Sequence, residues 1–176
     1  KIGITGANGL LGSLIKKKLK KKKINYSIFN GDIKVKKEIN DWIETNSNIK
    51  YIFHFAAISS PLEVNKNKKK AFKVNVLGTR NLIEVLKKKI KKIWFFFPST
   101  SHVYKHSKKR IKETHLLKPS SNYGKTKLSA EKIIIKNRSK NFSFFIGRIF
   151  SIYHRKQKKP FLYPSIKKKI SSSRNK

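Results

Sequence analysis

The stretch IGITGANGLLG, residues 2–12, decides the fold of this chain. Its first part, Ile2–Thr5, is an apolar run with the length of a buried strand, and an amphipathic helical pattern begins at Leu10. Three glycines stand three residues apart where the strand ends and the helix begins: Gly6, Gly9 and Gly12. Glycines at such a crossover let the backbone approach a pyrophosphate, and the helix N-terminus offers it unpaired N–H groups. The stretch predicts a phosphate-binding crossover; an ordinary glycine-rich turn is the alternative.

Strand-like and helical patterns alternate along the rest of the chain. Further apolar runs of strand length lie at residues 24–29, 51–57, 93–97 and 142–150, and the run at 93–97 is expected to stop at Pro98. Helical spacing marks residues 10–23, 39–43, 74–86 and 123–137. Nearly continuous apolar strands that alternate with helices are typical of a parallel sheet covered on both faces. We expect an α/β fold, a Rossmann-type doubly wound sheet with strand order 3-2-1-4-5.

The charge balance is strongly basic. The 176 residues include 45 Lys and Arg against 8 Asp and Glu, a formal charge of +37. Such a charge suggests nucleic acid, but Lys outnumbers Arg by 39 to six, and nucleic-acid readers favour the Arg fork. The lysines also occupy the outer faces of the predicted helices. We therefore interpret them as the solvated surface of a protein from an AT-rich genome, and keep a basic nucleic-acid-binding protein as a minor alternative.

Composition excludes several kinds of site. The chain has no cysteine, so it has no disulfide, thiolate zinc site or cysteine nucleophile. The histidines lack the spacing of metal ligands, and His102 and His106 lie in a predicted loop, so we expect no metal site. No apolar run approaches the roughly 18–20 residues of a membrane helix. The first residues read as strand and turn, not as a signal peptide, and we expect a cytoplasmic protein without a membrane partner.

A tyrosine and a lysine four residues apart carry the second chemical signal. Tyr123 and Lys127 share one face of a predicted helix, where an ammonium would stabilise a phenolate whose ordinary pKa is about 10. The pattern Y-x-x-x-K is not selective by itself in so Lys-rich a chain. It occurs three times: Tyr104/Lys108, Tyr123/Lys127 and Tyr163/Lys167.

Five blocks of sequence, taken together, resemble a known family. They are TGANGLLG, HFAA (residues 54–57), VNVLGTRNLIE (74–84), STSHVY (99–104) and KPSSNYGKTKLSAEK (118–132). In this order and spacing they resemble the extended short-chain dehydrogenase/reductase family, the NAD-dependent epimerase/dehydratase group that modifies nucleotide-activated sugars. The resemblance covers about residues 2–150. It selects Tyr123 and Lys127, because only this pair follows STSHVY at the family's interval and precedes LSAE.

The resemblance implies an enzyme that uses NAD or NADP on a keto or hydroxyl carbon of a nucleotide-sugar substrate. Thr100 would hydrogen-bond the reacting oxygen, Tyr123 would exchange its proton, and Lys127 would bind the ribose hydroxyls and lower the pKa of Tyr123. The implied cofactor-binding residues are Gly6, Gly9, Leu10, Leu11, Gly12, Asp32, Ile33, Ala56, Ala57, Asn75, Tyr123 and Lys127. Alternatives stay open: Asp32 as a helix cap, Asn75 as a surface residue, and Ser99 or Ser101 in place of Thr100.

Departures from the family's pattern narrow the expected reaction. Ser101 and His102 stand where dehydratases of this group carry acidic residues, which favours ketone reduction or epimerisation over dehydration. Ser151 and His154 replace a family Asn and Gly, which weakens the expectation of sugar-nucleotide recognition. No acidic residue closes the second strand, so NAD and NADP both remain open. A non-catalytic NAD(P)-binding regulatory relative is the main alternative.

The chain is expected to hold one complete domain and part of another. Residues 1–154 form the predicted NAD(P)-binding Rossmann domain, and residues 155–176 form a basic, partly disordered tail that begins an incomplete, truncated substrate domain. A homodimer through helices at about 71–90 and 123–138 is a further expectation from the family.

Overall fold

The structure, a computed structural model, describes residues 1–154, 157 and 162–173. A sheet of five parallel strands forms its centre, in the order β2-β1-β3-β4-β5. The strands are β1 (Ile2–Thr5), β2 (Tyr26–Phe29), β3 (Tyr51–His54), β4 (Ile93–Thr100) and β5 (Phe142–Ile149). The α/β class and the doubly wound parallel sheet are confirmed.

The predicted strand order 3-2-1-4-5 is wrong at one point. β3 lies between β1 and β4, and β2 takes the outer edge. In the described part of the chain β2 is therefore an edge strand, and only α2 (Lys36–Glu44) lies between β2 and β3 along the sequence. Ile52 and His54 of β3 are fully buried, as residues of an interior strand should be. After β2 and the single helix α2, the chain therefore crosses over β1 and forms β3 on the other side of it.

β4 is longer than its apolar run. The prediction that Pro98 ends the strand is wrong, because β4 continues through it to Thr100. Pairing of β4 with β3 ends at Phe96, whereas pairing with β5 continues to Thr100. From Phe97 onward β4 is thus an edge strand, where a residue without an N–H donor is tolerated. The extension carries Ser99 and Thr100 to the carboxyl edge of the sheet.

Helices cover both faces of the sheet. The crossover from β1 to β2 runs toward one edge of the sheet, and the later crossovers run toward the other edge. Because such crossovers are right-handed, α1 (Leu10–Lys21) lies on one face, and α2, α5 (Gly78–Lys89) and α6 (Asn122–Lys136) lie on the other. Between β3 and α5 the chain forms α3 (Pro61–Lys66), α4 (Lys68–Phe72) and a π-helical segment (Lys73–Leu77), and a short 3-10 helix (Ser101–Val103) follows β4. The larger core lies between the sheet and α2, α5 and α6, and includes Ile39, Ile43, Ile52, Leu82, Leu86, Phe95, Phe97 and Ile134. A smaller core of Ile4, Ala7 and Leu19 lies under α1.

The tail contains a helix that the sequence analysis did not predict, α7 (Leu162–Ser173). The expected partial disorder from residue 155 onward falls in part on residues 155, 156, 158–161 and 174–176, which lie outside the described residues. No helix in the described ranges is long and apolar enough to cross a membrane.

Candidate active site

The glycine turn after β1 has the shape that its three glycines permit. Gly6 has φ 68°, in the left-handed region, and a Cβ there would lie 2.5 Å from the backbone nitrogen of Ala56. A Cβ on Gly12 would overlap the Gly6 carbonyl oxygen and lie 2.7 Å from Ala7 Cα. These two glycines therefore let α1 pack closely against the turn and against the backbone that follows β3.

Gly9 faces open space, unlike the other two glycines. A Cβ there would meet only the Gly6 carbonyl oxygen, at 3.4 Å, and the residue has an ordinary extended backbone conformation. Gly9 is the N-cap of α1, and no side chain caps that helix end. No side chain at position 9 therefore covers the first N–H groups of α1, and the half-buried Leu10 and Leu11 lie beside them. This cradle fits a diphosphate.

A buried hydrogen-bonded chain runs from this turn into the helical layer. His54 Nδ1 lies 2.6 Å from Thr5 Oγ1, and His54 Nε2 lies 2.9 Å from Thr79 Oγ1. The Thr79 hydroxyl donates to the Asn75 carbonyl, so it accepts from Nε2–H, and Nδ1 then accepts from the Thr5 hydroxyl. The Ala56 N–H donates to Thr5 Oγ1 at 3.3 Å. Burial lowers the pKa of His54 to about 3, which keeps this ring neutral.

Asn75 joins the same chain to α6. Its side chain is buried and bonds the backbone of Ile58 in both directions, accepting from N–H at 2.8 Å and donating to C=O at 3.0 Å. Its amide also donates to Thr126 Oγ1 at 3.1 Å, and Thr126 donates to the Tyr123 carbonyl at 2.8 Å. Asn75 is therefore not the surface residue that the sequence left open. It braces the first turn of α6 against the loop after β3.

The start of α6 is packed against the segment that follows β4. A Cβ on Gly124 would overlap the His102 carbonyl oxygen, and the rings of His102 and Tyr123 lie 5.9 Å apart in an edge contact. Ser121 caps the helix by accepting from the Gly124 N–H at 3.0 Å. Thr100 is buried two residues before His102 and accepts from its N–H at 3.3 Å. This packing brings the end of β4 to the Tyr123 turn.

Three neighbouring hydroxyls, of Ser99, Thr100 and Ser101, lie at the end of β4 and directly after it, and they differ in where their protons go. Ser99 is buried and donates to the Glu131 carboxylate in a short hydrogen bond. The Thr100 hydroxyl proton has no acceptor among the residues that the structure describes, which leaves it for a ligand oxygen. This arrangement favours Thr100 over Ser99 as the hydroxyl that meets a substrate.

Lys127 is almost completely buried, one turn after Tyr123. Its Nζ lies 3.8 Å above the centre of the Phe97 ring. Burial lowers the pKa of Lys127 to about 7, against the opposing effect of the Glu131 charge. An ammonium in this position is costly without a polar ligand, and ribose hydroxyls would supply one.

Burial raises the pKa of Tyr123 above its ordinary value. The expectation that Lys127 lowers it is wrong for the protein without a bound ligand. The charge of Lys127 instead adds to burial in lowering the pKa of His54, and desolvation dominates at the phenol. The Tyr123 hydroxyl is therefore protonated at neutral pH.

Asp32 and Ile33 play separate parts in the turn after β2. Asp32 is exposed, accepts from the Lys34 N–H at 2.9 Å and pairs with Lys34 Nζ at 3.0 Å, and these contacts lower its pKa. It does not cap α2, whose N-cap is Val35. Ile33 is buried and packs against Gly78, where a Cβ would lie 2.7 Å from its methyl carbon.

Two charged residues beside the site were missed by the sequence analysis. Glu131 is fully buried and pairs with Arg148 Nη2 at 2.8 Å. Glu131 continues the four-residue spacing of Tyr123 and Lys127, and Arg148 is the one charged residue in the apolar run 142–150. Those two signals are present in the sequence. No cluster of three His, Cys, Asp or Glu side chains that could hold a metal occurs in the described ranges.

The structure thus collects most of the predicted residues at the carboxyl edge of the sheet. The ends of β1, β3 and β4 meet there, and contacts lead from the glycine turn through His54 and Asn75 to Tyr123 and Lys127. Asp32 lies apart at the end of β2, where its described contacts are with Lys34 and Glu38.

Solved structures share this fold. MoeE5 in complex with UDP-glucuronic acid and NAD is 23% identical with a TM-score of 0.82, over 94% of this chain and 59% of its own. A dTDP-4-dehydrorhamnose reductase from Bacillus anthracis in complex with NADP is 22% identical with a TM-score of 0.81, over 99% and 60%. One from Clostridium acetobutylicum is 28% identical with a TM-score of 0.71, over 82% and 52%.

The chain therefore spans less than two thirds of the length of these three proteins. A comparison with curated proteins gives no match. A family model described as the NAD dependent epimerase/dehydratase family matches residues 2–172, nearly the whole chain. This match agrees with the glycine crossover, the parallel sheet and the Tyr123–Lys127 helix. The chain belongs to the NAD-dependent epimerase/dehydratase family.

Proposed function

We propose that this chain binds NAD or NADP at the glycine crossover and reduces a keto carbon of a nucleotide-activated sugar. The observation that carries the proposal is the buried hydrogen-bonded chain from Thr5 through His54 and Asn75 to the first turn of α6. It ties the diphosphate cradle to the helix of Tyr123 and Lys127. A cofactor in the cradle and a proton donor on α6 then belong to one rigid site.

The cofactor would be held at both ends. The backbone around Gly9 and the N-terminus of α1 would bind the diphosphate, with Ala56 and Ala57 beside it. The buried Lys127 ammonium would bind the ribose hydroxyls, and these would satisfy its desolvated charge. When bound, the nicotinamide supplies or accepts a hydride. Exposed Asp32, in the turn after β2, would meet the adenine side.

The protonation state of Tyr123 supports reduction. Reduction of a ketone needs a donor that gives a proton to the carbonyl oxygen as negative charge develops on it. The Tyr123 phenol is protonated and so carries the proton that such a donor gives, and the Thr100 hydroxyl would donate to the same oxygen. Epimerisation through a keto intermediate begins with removal of the hydroxyl proton, which needs a base and not a proton donor. Epimerisation is therefore the second candidate. Membership of an epimerase/dehydratase family favours keeping it.

The whole-protein properties belong to the same proposal. Residues 1–154 would be the cofactor domain, and residues 155–176 would begin a substrate domain, as the longer related structures suggest. The nucleotide sugar is proposed because MoeE5 binds a UDP sugar and the reductases are named for a dTDP sugar. A homodimer stays a prediction.

The first experiment titrates the chain separately with NADH and NADPH and follows nicotinamide fluorescence. Saturable binding of either dinucleotide is expected, and a preference between them identifies the cofactor. If neither binds, the proposal fails.

A tyrosine substitution then tests the chemistry. Tyr123→Phe removes the proton donor, so turnover of a nucleoside diphosphate 4-keto sugar should fall by roughly 10²–10⁴-fold. Dinucleotide affinity should change by less than about threefold, because Lys127 and the cradle remain. Tyr51→Phe is the matched control, since it removes an exposed phenol at the amino end of β3, on the opposite edge of the sheet from the site. Binding without turnover in the unsubstituted chain would favour a regulatory relative.

A further inference from the structure

Glu131 occupies a position that the proposed reaction does not use directly. It lies one turn after Lys127 on α6, and its carboxylate is completely buried. Ser99 donates to it from β4, and Arg148 donates from β5 through Nε at 3.2 Å and Nη2 at 2.8 Å. A buried carboxylate is expensive unless it is paired and hydrogen-bonded, and here both conditions are met.

Arg148 extends these contacts to the loop after β4. Its Nη1 donates to the Tyr104 hydroxyl at 3.1 Å and to the Glu113 carbonyl at 3.3 Å. The guanidinium also lies 4.9 Å from the centre of the Tyr104 ring. The Glu131–Arg148 pair therefore joins α6, β5, the end of β4 and the loop after it. These are the elements that carry Lys127, Tyr123 and Thr100.

Among the groups around Lys127, Glu131 is the one whose charge stabilises the Lys127 ammonium. His54 faces Lys127 from β3 and is neutral, because burial lowers its pKa to about 3. Tyr123, on the same helix, is protonated. Arg148, on β5, is positive and pairs with the Glu131 carboxylate, and of these two charges it is Glu131 that acts on Lys127. Glu131 raises the pKa of Lys127 while burial lowers it.

We infer that Glu131, held by Arg148, is a positioning residue that keeps Lys127 charged and fixes the end of β4 beside Tyr123. The inference rests on the proposed function, in which the Lys127 ammonium binds the cofactor ribose. In this arrangement the buried Glu131–Arg148 pair acts on Lys127, which would bind the cofactor, and also holds the end of β4 that carries Thr100.

Glu131→Gln tests the inference in the full chain without any cofactor. Glutamine keeps the side-chain volume and can still accept from Ser99 and Arg148, but it carries no charge. The ionisation of Lys127 is followed by the ¹³Cε chemical shift, assigned by its loss in Lys127→Arg. We expect the Lys127 midpoint to move downward by about one pH unit in Glu131→Gln. Glu84→Gln, at an exposed ion pair with Lys36, is the control and should leave the midpoint in place.

The same variants are then titrated with the preferred dinucleotide across pH. A fall of about one unit in the Lys127 midpoint predicts about tenfold weaker binding at pH 8 and less than about twofold at pH 5.5. A merely structural role would weaken binding equally at both pH values. An unchanged Lys127 midpoint or a pH-independent loss would overturn the inference.

A second variant guards against misfolding. Glu131→Gln combined with Arg148→Met removes both charges, so it leaves no unpaired guanidinium. The Lys127 midpoint should fall in this double variant too, but by less than in the single one, because the Arg148 charge that opposes the Lys127 ammonium is also gone. If the midpoints shift as expected but no dinucleotide binds the unsubstituted chain, the proposed function fails while the Glu131 effect on Lys127 stands. If dinucleotide binds and the midpoints stay, the inference alone fails.

Discussion

At the scale of single residues, burial decides the chemistry of the site. Lys127 and His54 both lose their water, and both have a pKa well below the ordinary value. The sequence predicts that Tyr123 and Lys127 share a helix face, because four residues make one turn. It does not predict that Phe97 will lie under the ammonium, since that contact depends on the pairing of distant strands. For the same reason the raised pKa of Tyr123 is visible only in the structure.

Replacing Lys127 should stabilise the protein in a pH-dependent way. In the unfolded chain this lysine has a pKa near 10.5, whereas in the folded chain it is about 7. Between these values the unfolded state binds more protons, so the folded protein gains stability from this group as pH rises. Lys127→Met should raise the free energy of unfolding by a few kcal/mol at pH 6, at about 1.4 kcal/mol per unit of pKa difference.

The measurement is urea unfolding at pH 6, 8 and 9.5. The advantage of Lys127→Met should shrink as pH approaches 10. Lys125→Met is the control: it removes the same charge from an exposed position of α6 and should show no such trend. A constant difference between Lys127→Met and the unsubstituted chain would mean that Lys127 is charged in the folded state throughout.

At the scale of elements, local sequence patterns predict which strands and helices form better than they predict how these elements are arranged. The five strands and the helices α1, α2, α5 and α6 are predicted from periodicity, because each has its own apolar face. The position of β3 beside β1 is not predicted in this way, because the order of the strands depends on how many strands follow β2 at that edge of the sheet. Asn75 illustrates the limit at the site: its motif was selected, but its bonds to Ile58 and Thr126 need the tertiary fold.

The glycine crossover gives a paired prediction for this element. Gly9→Ala adds a methyl to open space but puts alanine at the N-cap of α1, so the free energy of unfolding should fall by only about 0.5–1 kcal/mol, while dinucleotide affinity falls at least tenfold. Gly12→Ala drives a methyl into the Gly6 carbonyl and should destabilise the chain by about 1–3 kcal/mol. Thermal unfolding and fluorescence titration of both variants provide the measurement. Unchanged affinity in Gly9→Ala would show that no phosphate approaches this backbone.

At the scale of the whole molecule, the most unusual property is the net charge. Of the ion pairs in the described part of the chain, only Glu131–Arg148 is buried, and the others are at least partly exposed. Exposed pairs contribute little to stability, and they involve few of the lysines. The formal charge of +37 therefore acts mainly as self-repulsion, which opposes the compact state.

Salt should therefore stabilise the folded chain. Raising the ionic strength from 0.01 M to 0.15 M shortens the screening length from about 30 Å to about 8 Å, which weakens repulsion between lysines on neighbouring elements. We expect the free energy of unfolding to rise by about 1–2 kcal/mol over this range, because the compact state holds its charges closer together than the unfolded chain does. Urea unfolding at constant pH in sodium chloride and in sodium acetate measures the effect. Equal gains in both salts indicate screening, whereas a gain that saturates at low concentration with one anion would indicate a specific site. A labelled DNA duplex that stays tightly bound at 0.15 M would instead favour the nucleic-acid alternative, since binding that rests on charge alone weakens steeply with salt.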